Sequence, residues 1–272
     1  ELIIAYANNK ELTIIPYATT PQFIHLIEIL NSFGVALKLP ETPSKKNVWL
    51  LRYIDTKSGF RTLVSNWLAK TDVQLPDGFI CKTITEAIDV VEWFVGQNRD
   101  CIVKADLGTN GYGNLIVTKE NFGTRASLLC YIESNTFFAN DLIVVEEFIY
   151  SRSILSPSFE CFIPPPQIGG PQLTYVSRQL FREYGDFRGV LTSKNQQAEV
   201  WYSALVNAGL IVAKKMQELG YVGFFDMDSI VDDQGRLYPV EINPRRTGGT
   251  HVHDFAKYYW GNDYLDHVVI LS

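Results

Sequence analysis

Residues 240–251 read VEINPRRTGGTH, and this stretch carries most of the information about the fold. A carboxylate, an amide and two arginines stand together at the end of an apolar strand, before a glycine turn. Side chains alternate between the two faces of a strand, so Glu241 shares a face with Asn243, and Asp226 with Asp228. A hairpin around the turn DDQG would pair the two strands and place Asp228 opposite Glu241.

These paired oxygens form a candidate metal site. Carboxylate and carboxamide oxygens suit Mg²⁺, which retains water and takes substrate phosphates as further ligands. We predict Asp228, Glu241 and Asn243 as the metal ligands, and Asp226 competes for the first position. The alternative is a set of solvated hairpin acids paired with the neighbouring arginines.

The composition is that of an ordinary folded protein. The 272 residues are 46% hydrophobic and 20% charged, with a net charge of −6, so no basic excess favours nucleic acid. No apolar run of about 18 residues predicts a membrane helix. Four widely spaced cysteines without a C-x-x-C pair are typical of reduced thiols, so we expect a cytoplasmic protein. The sequence does not begin with methionine, which is compatible with a fragment of a longer chain.

Alternating strand and helix patterns predict an α/β fold. Residues 1–46 have the strand-helix-strand pattern of an incomplete parallel layer, and the Pro- and Lys-rich segment 40–47 predicts a boundary. We expect an N-terminal cap at Thr85 on the helix that follows it. Helices are predicted at 21–34, 55–71, 85–98, 123–134 and 196–220, strands at 11–18, 35–41, 76–83, 101–106, 114–120, 141–150, 157–163 and 172–181, a hairpin at 221–243 and a C-terminal helix.

A glycine-rich segment, VKADLGTNGYGN (103–114), predicts a loop over an anion. Gly108, Gly111 and Gly113 permit a tight turn and close approach of backbone amides to an anion. The spacing matches neither a P-loop nor a dinucleotide fingerprint, so we interpret it as a flexible hairpin loop over phosphates. Lys104 supports this interpretation, because a lysine in an apolar strand usually has an anionic partner.

The order of these features resembles the ATP-grasp superfamily over about residues 50–260. The EINPR pentapeptide, with Asp228 standing 13 positions before Glu241, is the most specific piece. The resemblance implies an α+β ATP-grasp fold with two α+β subdomains, 47–150 and 151–272, that hold ATP between them. Residues 1–46 would be part of a small α/β pre-ATP-grasp domain.

The resemblance also implies the nucleotide contacts. Lys57 and Lys104 would contact the phosphates, and the three glycines would form a mobile loop over them. The strand end VVEEFI (144–149), which on its own is better explained by solvated acids, would hydrogen-bond adenine through its backbone. Either Glu147 or Glu160 would hold the ribose. The implied ATP-binding residues are Lys57, Lys104, Gly108, Gly111, Gly113, Glu146, Glu147, Phe148, Ile149 and Glu160.

The implied activity is an ATP-dependent carboxylate–amine ligase that forms an amide or peptide bond through an acyl phosphate. ATP and Mg²⁺, or Mn²⁺ in its place, would be the cofactors, and Arg245 would be the catalytic residue that steadies the transferred phosphoryl group. The partners would be a small-molecule carboxylate and an amine, either an amino acid or a peptide, and a homodimer is common in the family. The glycine-threonine-histidine tail is similar to pheganomycin-type peptide ligases. A kinase that stops at phosphoryl transfer and a non-catalytic ATP-binding module are the alternatives.

Substrate contacts are predicted in two further segments. Arg178, Arg182 and Arg188 alternate with aromatics in 177–193, where an arginine fork would suit a substrate carboxylate. A solvated surface loop explains this segment equally well. His251 would meet the acceptor amine or simply cap the final helix, as would the nearby His253.

Overall fold

The computed structural model describes residues 2–7, 10–108, 113–139 and 142–272. Its N-terminal part contains helix α1 (Leu2–Ala7), strand β1 (Leu12–Thr13), helix α2 (Pro21–Ser32) and strand β2 (Leu37–Lys38), and β1 pairs with β2 in parallel. The hydroxyl of Thr20 accepts from the Phe23 amide at 3.1 Å and caps α2. The predicted strand-helix-strand order is confirmed, although each strand is only two residues long.

A four-stranded antiparallel sheet forms the next layer. Its strands are β3 (Gly78–Cys81), β4 (Cys101–Ala105), β5 (Asn114–Val117) and β6 (Ile143–Glu147), in the order β3-β6-β4-β5. Helices α5 (Ile84–Gly96) and α6 (Arg125–Ser134) cover one face. The predicted cap of α5 at Thr85 is wrong, because Thr83 is the extended residue whose hydroxyl accepts from the Glu86 amide at 3.1 Å.

A six-stranded sheet forms the larger layer. Its strands are β7 (Ser156–Ile163), β8 (Gln172–Phe181), β9 (Phe187–Thr192), β10 (Gly223–Val231), β11 (Leu237–Asn243) and β12 (Ile270–Leu271), in the order β11-β10-β7-β8-β9-β12. Helices α4 (Lys57–Leu68) and α7 (Tyr202–Glu218) pack on one face and bury the main hydrophobic core. Short helix α3 (Trp49–Ile54) joins that core, and α8 (Gly248–Trp260) follows β11.

The hairpin of β10 and β11 has the predicted register. Asp228 pairs with Glu241 and Asp226 pairs with Asn243. Strand β9 lies inside the segment 177–193, so this segment is a β-hairpin arm rather than a loop. The four cysteines are free, and no described helix is long and apolar enough to cross a membrane.

Candidate active site

The open face of the six-stranded sheet carries two rows of polar side chains across neighbouring strands. The first row contains Glu241, Asp228, Ser158 and Ser177, and the second contains Asn243, Asp226, Glu160 and Tyr175. Residues two apart along a strand share a face, so both rows point the same way. The opposite face of β7 carries Phe159 and Cys161, which are fully buried in the core. The alternation of side chains along β7 therefore supplies the hydrophobic core on one face and the polar rows, the floor of the site, on the other.

Apart from Tyr175, the residues of these rows line a cavity of about 1200 Å³ whose walls come from both sheets. Most of the predicted site residues converge here, although their segments lie far apart in sequence. The predicted residues in its lining are Lys57, Lys104, Glu146, Glu147, Phe148, Ile149, Glu160, Arg188, Asp228, Glu241, Asn243, Arg245 and His251.

Both predicted lysines are buried and paired with acids. Lys57 Nζ donates to Glu241 Oε1 at 2.5 Å and to the Gly108 carbonyl at 3.3 Å. Lys104 pairs with Glu146, which also accepts from Arg61 at 3.3 Å. Sequence reasoning missed Arg61, although its position one helical turn after Lys57 is a usable signal. Each lysine thus lines the cavity while a glutamate carboxylate compensates its positive charge.

The predicted hinge, 146–149, begins in the last two residues of β6, and part of its backbone already forms hydrogen bonds within the protein. The amides of Glu147 and Phe148 donate to the carbonyls of Asp77 and Asp100, at 2.7 and 2.9 Å. The Glu147 carboxylate pairs with Arg99 at 2.6 Å. The amides of Glu147 and Phe148 are therefore not free to bind an adenine ring. An adenine at this hinge would instead contact the Ile149 amide and backbone carbonyl oxygens.

The carboxylates of the two rows are buried close to one another, so their negative charges are poorly solvated and repel. Burial, followed by the charge of Glu241, raises the pKa of Asp228 to about 7. Burial raises the pKa of Glu160 to about 8, against the lowering effect of the neighbouring hydroxyls of Thr247 and Tyr175. Burial and the charge of Asp228 likewise raise the pKa of Asp226 well above its usual range. A cation at this floor would relieve that cost.

The donor set fits a magnesium ion only if a substrate completes it. Among the described residues, no group of three or more His, Cys, Asp or Glu side chains is arranged to hold a metal by itself. Mg²⁺ typically takes one or two carboxylates plus waters and phosphates, which Asp228 and Glu241 can supply in part. The Asn243 amide donates to Asp228 at 3.3 Å, and its oxygen accepts from Arg245 at 2.7 Å. Gln179, which sequence reasoning missed, also donates to Asp228.

The glycine segment is only partly described. Gly108 and Arg245 line a second, smaller cavity of about 170 Å³ beside Glu241. Gly113 has φ +81°, a conformation that favours glycine, and its carbonyl accepts from the Ala105 amide at 2.8 Å. The predicted contact at Gly111 lies outside the described residues.

The predicted substrate residues divide into two groups. Arg188 and His251 line the main cavity, whereas Arg178 and Arg182 are absent from its described lining. Arg178 alternates with Ser177 and Gln179 on β8 and so lies on the other face. Arg182 and Arg188 both pair with Asp186, at 2.6 and 2.9 Å.

His253 belongs to the packing under the site. Its Nδ1 hydrogen-bonds the Tyr264 hydroxyl at 2.7 Å, and its ring stacks on Tyr175 at 4.7 Å. Burial lowers the pKa of His253 to about 4, so the ring is neutral near pH 7. A neutral, buried ring orients α8 rather than meeting a substrate.

Arg246 ties the N-terminal part of the chain to the site. Its guanidinium donates to both Glu41 oxygens, at 2.9 and 2.7 Å, and lies 4.3 Å from the centre of the Phe224 ring. Its amide donates to the carbonyl of Tyr17, a residue that lines the main cavity. The second arginine of the RR pair is thus structural.

The comparisons with known proteins point to one fold. No family model matches the sequence. A curated relative from Niallia circulans, described as a [butirosin acyl-carrier protein]–L-glutamate ligase, is 25% identical over 249 residues. The match covers 89% of this chain and 53% of that protein, so the chain spans about half the length of this curated relative.

Solved structures agree more closely in shape than in sequence. A biotin carboxylase domain of 2-oxoglutarate carboxylase from Hydrogenobacter thermophilus, in complex with MgADP, is 17% identical with a TM-score of 0.67, and the match covers 97% of this chain and 55% of that one. Biotin carboxylase from Campylobacter jejuni is 16% identical with a TM-score of 0.68, covering 93% and 53%. D-alanyl-alanine synthetase A from Vibrio cholerae is 13% identical with a TM-score of 0.61, covering 93% and 74%. These likenesses confirm the ATP-grasp fold predicted from the sequence.

Proposed function

We propose that this chain, which has the ATP-grasp fold, is the nucleotide-binding part of an ATP-dependent carboxylate–amine ligase. One observation carries the proposal: two sheets bring two buried lysines and the hard oxygens of Asp228, Glu241 and Asn243 to a single cavity. The ligase relative from Niallia circulans supports the reaction class. Residues 47–150 and 151–272 would be the two subdomains, and 1–46 part of a preceding domain.

The proposed nucleotide runs from the hinge to the hairpin. Adenine would lie at residues 146–149, and Glu147 is the better of the two acids for the ribose because it belongs to this hinge, whereas Glu160 lies beside Thr247. The phosphates would lie between Lys104 and the β10–β11 hairpin, where Lys57 exchanges its contact with Glu241 for a phosphate oxygen. Asp228, Glu241 and Asn243 would hold Mg²⁺, or Mn²⁺ in its place. The glycine segment would cover the phosphates.

The proposed chemistry activates a carboxylate before an amine attacks it. A carboxylate is a poor electrophile because attack must expel an oxide, and phosphorylation by ATP converts that oxygen into a leaving group. Mg²⁺, when bound, supplies charge neutralisation during phosphoryl transfer. Arg245, which now bonds the Asn243 oxygen, would turn to the transferred phosphoryl group and stabilise its charge. The covered cavity would exclude water and protect the acyl phosphate from hydrolysis.

The Niallia circulans relative acts on an acyl-carrier protein and L-glutamate, according to its description. By analogy, we propose that this chain joins an amino acid to a small amine or to a carrier-bound group. Arg188 and His251, both in the cavity lining, would face the part of the substrates beyond the phosphates.

The decisive variant is Glu241→Gln. Loss of this carboxylate removes a metal ligand while preserving its shape, so we expect ADP formation to fall by about 100-fold or more. ADP release would be followed with ATP, Mg²⁺ and pooled carboxylates and amines, and circular dichroism would check the fold. Glu218→Gln is the matched control, because Glu218 is exposed on α7 and its one ion pair within the described part of the chain is with nearby Lys215, at 2.8 Å. Normal turnover by Glu241→Gln would exclude the metal assignment.

Product analysis separates the alternatives. A phosphorylated product that forms without an acceptor amine would favour a kinase. Nucleotide binding without any ADP formation, across a broad panel of amino acids, would favour a non-catalytic binding module.

A further inference from the structure

The linker that joins the two sheets contains a strained residue. It runs over residues 148–155, from the end of β6 to the start of β7. Ile154 in this linker has φ +47°, and among the non-glycine residues that the structure describes only Asn98 shares this left-handed conformation. Asparagine tolerates it, whereas a β-branched side chain rarely adopts it. Strained backbone persists only where its surroundings impose it, and it concentrates at ligand-binding and active sites.

Hydrogen bonds hold the amides of this linker. The Ile154 amide donates to the Ser151 carbonyl at 2.9 Å, and the Leu155 amide donates to the Ser151 hydroxyl at 2.9 Å. The Arg152 amide donates to Asp233 Oδ1 at 2.9 Å. Ser151 is itself only 3% exposed. The conformation of Ile154 therefore depends on where Ser151 is held.

Tyr184 holds Ser151 from a distant part of the chain. Its hydroxyl accepts from the Ser151 amide at 3.0 Å and donates to the Ser151 carbonyl at 2.8 Å, so one group bonds both sides of this residue. The Tyr184 ring packs edge-on against Phe148, with the ring centroids 4.9 Å apart. Tyr184 lies in the turn between β8 and β9, beside Gly185 with φ +82°. This turn of the larger sheet thus contacts both the linker and the hinge.

The same contacts lie at the base end of the proposed nucleotide site. Phe148, Ile154 and Tyr184 all line the main cavity, and Ile102 and Ile116 of the smaller sheet line it too. Phe148 belongs to the hinge at which adenine would lie. Apolar walls suit a flat heterocycle, and a wall that is already ordered binds it more tightly because less freedom is lost on binding.

We propose that Tyr184 is a positioning residue for the nucleotide base, and that its hydroxyl holds the linker in the conformation that keeps Ile154 in the cavity wall. This inference rests on the proposed function and deepens it. Without the hydroxyl, the linker relaxes out of the left-handed conformation and the wall beside the base is lost. The phosphates would bind at Lys104 and the β10–β11 hairpin, so the effect is confined to the base.

The first test compares Tyr184→Phe with wild type by calorimetric titration of MgADP and of magnesium tripolyphosphate, which has no base. Tyr184→Phe keeps the ring on Phe148 and removes only the hydroxyl. We expect MgADP affinity to fall about 10-fold, because the hydrogen bonds that order the wall are lost. Affinity for tripolyphosphate should change by less than about 2-fold, because the phosphate contacts are distant and independent.

Tyr150→Phe is the matched control. Tyr150 also packs on Phe148, with the ring centroids 4.9 Å apart, but its hydroxyl bonds the Asp100 carboxylate and the residue is not in the described cavity lining. Loss of this hydroxyl leaves the contact between Tyr184 and Ser151 in place. We therefore expect Tyr150→Phe to bind MgADP as wild type does, and circular dichroism would check that each variant folds.

A second test combines Tyr184→Phe with Ile154→Gly. Glycine adopts the left-handed conformation without strain, so the linker then no longer needs the Tyr184 hydroxyl to hold it. Tyr184→Phe should weaken MgADP binding about 10-fold in the wild-type background but less than about 3-fold in the Ile154→Gly background, because the two changes act on one linker conformation.

The outcomes are separable. Equal MgADP affinity in Tyr184→Phe and wild type would overturn the positioning role of Tyr184. A parallel loss of tripolyphosphate affinity would also overturn it, as would the same loss of MgADP affinity in both backgrounds. Failure of wild type to bind MgADP would instead overturn the proposed function itself.

Discussion

Lys104→Met should destabilise the protein and weaken nucleotide binding together. The Lys104 and Glu146 side chains are only 9% and 6% exposed, so the pair is desolvated. Removing one partner of a buried pair costs about 3–5 kcal/mol, because the other charge stays buried. Arg61 still contacts the second Glu146 oxygen at 3.3 Å, so we expect the lower end, about 3 kcal/mol.

Urea unfolding at constant pH would measure this loss by linear extrapolation, with an unchanged slope. Lys119→Met is the matched control, because Lys119 is exposed and its ammonium donates to the Asn98 amide oxygen at 2.8 Å, with no ion pair to a described acid. A double-mutant cycle with Glu146→Gln should give a coupling of about 2 kcal/mol. A loss below about 0.5 kcal/mol in Lys104→Met would refute the buried-pair argument, since exposed substitutions fall in that range.

Two further predictions concern charge and packing. In metal-free buffer the free energy of unfolding should fall from pH 6.5 to 8, because folded Asp228 and Glu160, with pKa values of about 7 and about 8, retain protons that the unfolded chain has released. Glu160→Gln should flatten that slope in chemical unfolding, and a slope equal to wild type would contradict the cause. Gly209→Ala should cost about 1–3 kcal/mol, because its Cβ would stand 2.4 Å from the Phe159 ring. Gly96→Ala, which meets nothing within 4 Å, is its control, and equal melting temperatures for the two variants would disprove the clash.

Local patterns were sufficient for most of the secondary structure and for the register of the β10–β11 hairpin. The helix α2 and the hairpin of β10 and β11 follow from caps, turns and side-chain periodicity within a few residues of the predicted bounds. The pairing of Asp228 with Glu241 follows because a hairpin register depends on its own turn. The cap at Thr83 and the strands β9 and β12 were missed, since neighbouring threonines compete for a cap and short strands form only against a partner.

The sequence by itself determined which residue types stand at the ends of the strands, and thereby the ATP-grasp resemblance. Only the tertiary structure decided their electrostatic partners. Lys57 meets Glu241 across 184 positions, and no periodicity encodes a contact of that span. The structure likewise places Arg178 on the far face of β8 and buries the Glu160 carboxyl beside the hydroxyls of Thr247 and Tyr175. The burial of Glu160 and the charges around it depend on all the strands that meet at the cavity. Its raised pKa therefore exists only in the folded chain.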